Sequence, residues 1–111
     1  MSTILKKDSL NSILRDFQRG ERESSIKKLK EYNHKYPEDI NAIYNLGVMY
    51  QEVYQYENSI NQYLKVIKKN KKHWQSYANL GLIYFLKREY LKSNKFHFNV
   101  IKLNKDYQPS I

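Results

Sequence analysis

One segment of the chain occurs twice, 34 residues apart, and this repeat constrains the fold more than any other feature. In both copies a leucine precedes a glycine, and a tyrosine follows three residues later. The copies are Tyr44-Asn45-Leu46-Gly47-Val48-Met49-Tyr50 and Ala78-Asn79-Leu80-Gly81-Leu82-Ile83-Tyr84. A fixed interval of this size is typical of stacked helical repeats, in which each unit buries its apolar face against its neighbours.

Apolar residues recur at three- and four-residue steps, which is the period of an amphipathic helix. One such series is Ile60, Tyr63, Leu64 and Ile67. No segment alternates convincingly at a period of two, so the sequence predicts an all-α fold without strands. We predict antiparallel helices joined by short connections, at residues 7–19, 22–35, 40–53, 57–70, 74–87 and 90–103.

The repeated residues resemble the tetratricopeptide repeat, a pair of antiparallel helices. After the Leu-Gly-Tyr pattern, this family has small and aromatic residues in its second helix, where the chain has Ser59, Tyr63 and Val66 and then Ser93, His97 and Val100. The resemblance implies a single domain over residues 1–111, a right-handed α-solenoid of three helix pairs. Its repeats are expected at about 6–39, 40–73 and 74–107, with 108–111 as the start of an absent or truncated capping helix.

Small residues and turn residues give the repeat its expected geometry. Serine and glycine at positions 47, 59, 81 and 93 allow two helices to approach closely. Gly20 occupies the turn of the first repeat, whereas Tyr54 and Arg88 occupy the equivalent places. A left-handed backbone costs about 1 kcal/mol without glycine, so those two turns are expected to adopt another geometry. Asp39 is expected to cap the third helix.

The resemblance implies that the first helix of each pair lines a concave groove for a segment of another protein. The expected groove residues are Leu10, Asn11, Leu14, Asn41, Tyr44, Asn45, Val48, Glu52, Gln75, Ala78, Asn79, Leu82 and Phe85. Asn45 and Asn79 are equivalent, and an amide can pair with the main chain of a bound peptide. The alternative is that these asparagines stabilise the repeat itself. Only Asn45 matches the clamp with which some relatives bind the acidic tail of heat-shock chaperones, so that partner is disfavoured.

The net charge of +9 arises entirely in the second half of the chain. Residues 1–57 contain nine basic and nine acidic residues, whereas residues 58–111 contain eleven basic residues against Glu89 and Asp106. The densest basic cluster is Lys65, Lys68, Lys69, Lys71 and Lys72. These lysines either remain solvated at a helix end, where they offset its dipole, or bind nucleic acid, an anionic surface or an acidic protein.

Other chemistry has little support in the sequence. The chain lacks cysteine, which excludes disulfides and thiol catalysis and fits the cytoplasm or another reducing intracellular compartment. His34, His73 and His97 are isolated, so no metal site, cofactor or enzyme activity is expected. The first residues contain no apolar run, and neither a secretory signal nor a membrane span is expected.

The sequence therefore predicts a non-catalytic scaffold or adaptor that binds a peptide or helix segment. Two alternatives remain open: a fragment of a larger protein that flanks a catalytic domain, and a basic binder of nucleic acid or an anionic surface. The apolar flank around Phe98, Ile101 and Leu103 is expected to be open, so either the natural array is longer, or this flank meets a partner, or it mediates self-association. Of these, we hypothesise an oligomer contact there.

Overall fold

The computed structural model describes residues 3–104, which form six α-helices and no strand. The helices are α1 (Thr3–Gln18), α2 (Arg22–Lys35), α3 (Ile40–Glu52), α4 (Tyr56–Lys69), α5 (Trp74–Leu86) and α6 (Tyr90–Leu103). The six predicted helices are confirmed, and α1 differs most because it begins four residues earlier. The predicted start of a capping helix at 108–111 lies outside the described residues. None of the described helices combines the length and the apolar character needed to cross a membrane.

Consecutive helices pack as antiparallel pairs, and the pairs stack into an elongated array. Helices α1 and α2, α3 and α4, and α5 and α6 pack within pairs, while α2 with α3 and α4 with α5 join neighbouring pairs. The principal extents are 43 × 25 × 21 Å. This arrangement confirms the predicted all-α solenoid.

The array contains two apolar clusters, one at each junction between helix pairs. The first includes Phe17, Leu29 and Leu46, and the second includes Tyr63 and Leu80. Each helix pair buries its apolar face against the next pair, so the core is divided along the array instead of gathered at one centre.

Glycine and serine hold the helices of the later pairs close together. A Cβ atom on Gly47 would lie 2.7 Å from the Tyr63 ring, which is closer than carbon atoms can pack. The Ser59 hydroxyl donates to the Gly47 carbonyl oxygen at 2.7 Å. In the next pair, Ser93 donates to the Gly81 carbonyl oxygen at 2.8 Å. The small residues therefore serve the close approach predicted for them.

The first helix pair lacks this serine–carbonyl hydrogen bond. Ile13 stands where the later pairs have glycine, and Ser25 stands where they have the donating serine. The Ser25 hydroxyl is buried and has no hydrogen-bond partner in the described part of the chain. The first pair is therefore held by apolar packing without the polar tie of the later pairs.

The prediction of different turn geometry at Tyr54 and Arg88 is wrong. Their φ angles are 65° and 63°, so both are left-handed like Gly20, whose φ is 101°. All three turns share two backbone hydrogen bonds that define a Schellman ending, including a bond from the residue after the turn to the carbonyl five residues earlier. These bonds impose the left-handed conformation even where the side chain disfavours it.

The side chains of Asp39 and His73 cap helices at equivalent places. Asp39 accepts from the Ala42 N–H at 3.2 Å, as predicted, and also from the Tyr32 hydroxyl at 2.9 Å. His73 accepts from the Ser76 N–H at 3.3 Å through Nδ1, and the Ser76 hydroxyl lies 2.9 Å from the same nitrogen. Burial lowers the pKa of His73, which keeps the ring neutral and able to accept.

Candidate partner-binding groove

Residues of α3 and α5, together with the turn after α3, line an open cavity of about 620 Å³. Four of the predicted groove residues meet there, namely Tyr44, Val48, Glu52 and Asn79. The remaining lining residues are Arg22, Gln51, Tyr54, Tyr56 and Leu86. The cavity therefore lies between the second and third repeats, towards the turn end of their first helices.

Other predicted groove residues lie outside the lining of this cavity. Leu82 and Phe85 are exposed on α5, at 43% and 55%. Asn41 and Gln75 are exposed near the beginnings of α3 and α5. The Asn45 amide donates to the Asn41 carbonyl oxygen at 2.8 Å, within its own helix.

The groove residues predicted for the first repeat separate into packed and exposed side chains. Leu10 and Leu14 pack against the first apolar cluster. Asn11 is exposed on α1, and Ala78, the counterpart of Leu10 in the third repeat, is half-buried on α5. The first repeat therefore contributes apolar support to the core from two of its three predicted groove positions.

A hydrogen-bond network joins three helices at the base of the cavity. The Asn79 amide nitrogen donates to the hydroxyls of Tyr44 and Tyr63, at 3.0 and 3.1 Å. Tyr63 in turn donates to the Gln51 side-chain oxygen at 2.7 Å. Asn79 thus joins α5 to α3 and α4, and its nitrogen is engaged within the protein.

Burial keeps the central hydroxyl of this network protonated. Tyr63 is fully buried, and desolvation raises the pKa of its hydroxyl, with a smaller contribution from Tyr44. The Tyr44 ring packs between Tyr63 and His73, with centroid distances of 5.6 and 4.9 Å. The network and this ring packing fix one wall of the cavity.

Five lining residues were not predicted from the sequence, and most of them lie near the turn between α3 and α4. Arg22 and Tyr56 occupy equivalent places one repeat apart, where α2 and α4 begin. Their 34-residue separation could therefore have identified them as equivalent positions near the groove. Tyr54 is 78% exposed in its left-handed turn, so its contribution depended on a turn geometry that was predicted differently.

The five predicted anion-binding lysines are all exposed at the end of α4 and in the following turn. Lys69 is paired with Glu38 of the preceding repeat, with 3.1 Å between its nitrogen and the carboxylate. Lys65 lies beside a separate cavity of about 340 Å³ with Lys30 and His34. Anion binding by this segment stays a prediction.

The apolar flank predicted at the end of the array is exposed. Phe98, Ile101 and Leu103 on α6 are 63%, 47% and 38% exposed. Self-association through this flank stays a prediction.

Several solved structures share this fold. MamA is 21% identical, with a TM-score of 0.78 over 81% of this chain and 53% of MamA. A tetratricopeptide repeat protein from Parabacteroides merdae is 15% identical, with a TM-score of 0.87 over 96% of this chain and 41% of that protein. The type III secretion translocator chaperone SycD from Yersinia enterocolitica is 17% identical, with a TM-score of 0.87 over 95% of this chain and 80% of SycD.

These similarities confirm the tetratricopeptide-repeat fold that the sequence predicted. The chain spans about half of MamA and two fifths of the Parabacteroides protein, but most of SycD. No protein-family model matches the sequence, and no curated protein matches it either.

Proposed function

We propose that the chain is a non-catalytic protein-interaction module that holds a segment of another protein in the cavity between α3 and α5. The supporting observation is the composition of its walls. Tyr44, Tyr54 and Tyr56 present aromatic surface there, and Val48 and Leu86 present aliphatic surface. Concave sites with apolar walls and a few placed polar groups are typical of binding sites.

The internal network favours recognition through side chains. Because the Asn79 nitrogen already donates to two tyrosine hydroxyls, it is not the free amide that main-chain recognition would use. The same network fixes Tyr44 before a partner arrives, which lowers the entropy cost of binding. Arg22 and Glu52 add one charge of each sign, which suits a partner with a fixed orientation.

The lining of the cavity gives little support to catalysis. Among the described residues that line it, Glu52 is the one carboxylate, and neither a histidine nor a serine accompanies it. A general base and a nucleophile within hydrogen-bond reach are the usual basis of hydrolytic sites. The fold shared with the translocator chaperone SycD supports protein binding. We also propose that the protein functions in a reducing compartment such as the cytoplasm.

The test is affinity capture from source-cell lysate, followed by affinity measurements with the captured segment. Leu86→Ser is the test variant, because Leu86 lines the cavity and is 51% exposed. Leu64→Ser is the matched control, since Leu64 is 41% exposed on α4 outside the cavity lining. Losing the burial of one leucine is expected to weaken binding about tenfold or more.

Two outcomes would contradict the proposal: no captured protein, or a partner that Leu86→Ser and Leu64→Ser retain equally. Asn79 is a poor probe, because its removal takes the donor from two tyrosine hydroxyls and disturbs the fold as well as the groove.

A further inference from the structure

One face of α6 alternates apolar and basic side chains. Leu91, Lys95, Phe98 and Lys102 are spaced by four, three and four residues, which places them in one row along the helix. All four are exposed, Leu91 at 85% and Phe98 at 63%. We call these four residues the α6 row.

The repeat itself does not require this row. The equivalent residues of α4 are Glu57, Asn61, Leu64 and Lys68, and those of α2 are Glu23, Lys27, Lys30 and His34. Both earlier helices thus begin the row with a glutamate, and neither has two large apolar residues. Leu64 of α4 is exposed at the place of Phe98, but only α6 has two exposed large apolar residues in this row, so stacking of the array does not explain the pair.

A cavity of about 860 Å³ adjoins the α6 row, and its lining includes all four residues. Tyr84 and Phe96 also line it, with their rings stacked at a centroid distance of 5.6 Å and an interplanar angle of 5°. The row therefore borders a recess with aromatic walls, which can accept a side chain. The cavity shares no lining residue with the groove between α3 and α5.

The charge around this recess is positive. Lys92, Lys95 and Lys102 line it, and none of the described residues that line it is acidic. Among the described residues, Glu89 is the nearest carboxylate along α6, and it lies 3.4 Å from Lys92 and 3.5 Å from Lys87. Among the described residues, no carboxylate pairs with Lys95 or Lys102. A second copy of the chain would bring the same positive charge to this face, whereas an acidic segment complements it.

We propose that the α6 row and its recess dock an acidic segment of another protein. That segment places an aromatic or aliphatic side chain against Phe98, at the edge of the recess that Tyr84 and Phe96 also line. Its carboxylates pair with Lys95 and Lys102 on either side of this contact. The face is a second interaction surface, separate from the groove.

The experiment is selection from a library of random dodecapeptides against the immobilised chain, followed by affinity measurements with synthetic copies of the selected peptides. The expected result is a class of peptides that combine excess aspartate and glutamate with at least one large apolar residue. Binding of this class should weaken about tenfold or more in Lys95→Glu/Lys102→Glu and in Phe98→Ser, and should weaken with added salt.

Matched variants separate this face from general effects of charge and surface hydrophobicity. Lys27→Glu/Lys28→Glu makes the same charge change on the exposed surface of α2, and Leu64→Ser removes a comparable apolar side chain from α4. Both controls should retain binding to within about twofold, since exposed sites outside the interface contribute little. Circular dichroism of every variant confirms that the helices are intact.

Several results would overturn the proposal. One is a selection that yields no acidic–apolar class, and another is a class that the Lys27/Lys28 control weakens as much as the Lys95/Lys102 variant. Two competitors test other partners: short duplex DNA and vesicles containing phosphatidylglycerol. If either displaced the peptides, and if its own binding depended on Lys95 and Lys102, the α6 row would instead bind nucleic acid or membrane. A dimer in sedimentation experiments that Phe98→Ser abolishes would assign the face to a second copy.

Discussion

Replacing Arg88 with glycine is expected to stabilise the folded chain. Arg88 has a φ of 63°, and a left-handed residue with a Cβ atom costs about 1–2 kcal/mol. Glycine avoids this cost but loses about 0.5–1 kcal/mol more backbone entropy on folding. The Arg88 side chain is exposed, so its removal sacrifices little packing. The expected net gain in the free energy of unfolding is about 0.5–1 kcal/mol.

Urea and thermal denaturation followed by circular dichroism measure this gain. Arg88→Gly should raise Tm by about 2–6 °C, from the relation between stability and Tm in small domains. Arg88→Ala is the matched control, because it removes the guanidinium group and keeps the Cβ atom. Gly20→Ala is the reciprocal change, and it should cost about 1 kcal/mol by backbone strain alone, because no atom lies within 4 Å of the added Cβ.

Equal changes in stability for Arg88→Gly and Arg88→Ala would contradict this prediction, since the side chain and not the backbone would then be responsible. A neutral Gly20→Ala variant would refute it as well, because the left-handed conformation at that turn would carry no cost.

Three further perturbations test the helix contacts and caps by urea denaturation. Gly47→Ala should lower the free energy of unfolding by about 1–2 kcal/mol despite better helix propensity, because the added methyl group meets a fully buried ring at 2.7 Å. Gly81→Ala should lower it less, because its contact is 3.0 Å to a half-buried ring. A larger loss for Gly81→Ala than for Gly47→Ala would contradict this prediction. Asp39→Ala should cost about 1–2 kcal/mol by removing the cap and a tyrosine hydrogen bond, with Asp39→Asn as the control that keeps an acceptor. The folded-state pKa of His73 is lowered, so the unfolded chain binds the proton more tightly and the free energy of unfolding should fall as pH drops through about 6.5. His73→Asn should reduce this dependence of the free energy of unfolding on pH. An unchanged pH dependence would exclude His73 as its source.

Most of the fold was predictable from the 34-residue period, because stacked helix pairs of equal length require such a period. The Leu-Gly-Tyr pattern located α3 and α5. The cap at Asp39 was predictable because an acidic residue precedes an apolar helical segment. The turns at Tyr54 and Arg88 were not predictable from residue preference. Their geometry is fixed by backbone hydrogen bonds and by packing of the flanking helices, which outweigh a local cost of about 1 kcal/mol.

The candidate groove was predictable in position but not in detail. The period placed Tyr44, Val48 and Asn79 on first helices, and these do meet in one cavity. The engagement of the Asn79 nitrogen depends on tyrosines of two other helices, and the spacing of residues along one helix does not contain that information. The role of Gln51 as acceptor for Tyr63 was hidden for the same reason.

The uneven distribution of the serine–carbonyl hydrogen bond is expected to set the order in which the helix pairs unfold locally. The later pairs are each tied by a serine to a glycine carbonyl, while the buried hydroxyl of Ser25 lacks a partner within residues 3–104. Local opening of a repeat array proceeds from its least stable unit, and the missing hydrogen bond makes the pair α1–α2 the expected one. Amide hydrogens of that pair should exchange with solvent first, leaving α3 to α6 as the persistent part of the molecule, in which the groove between α3 and α5 keeps its described lining residues except Arg22 of α2.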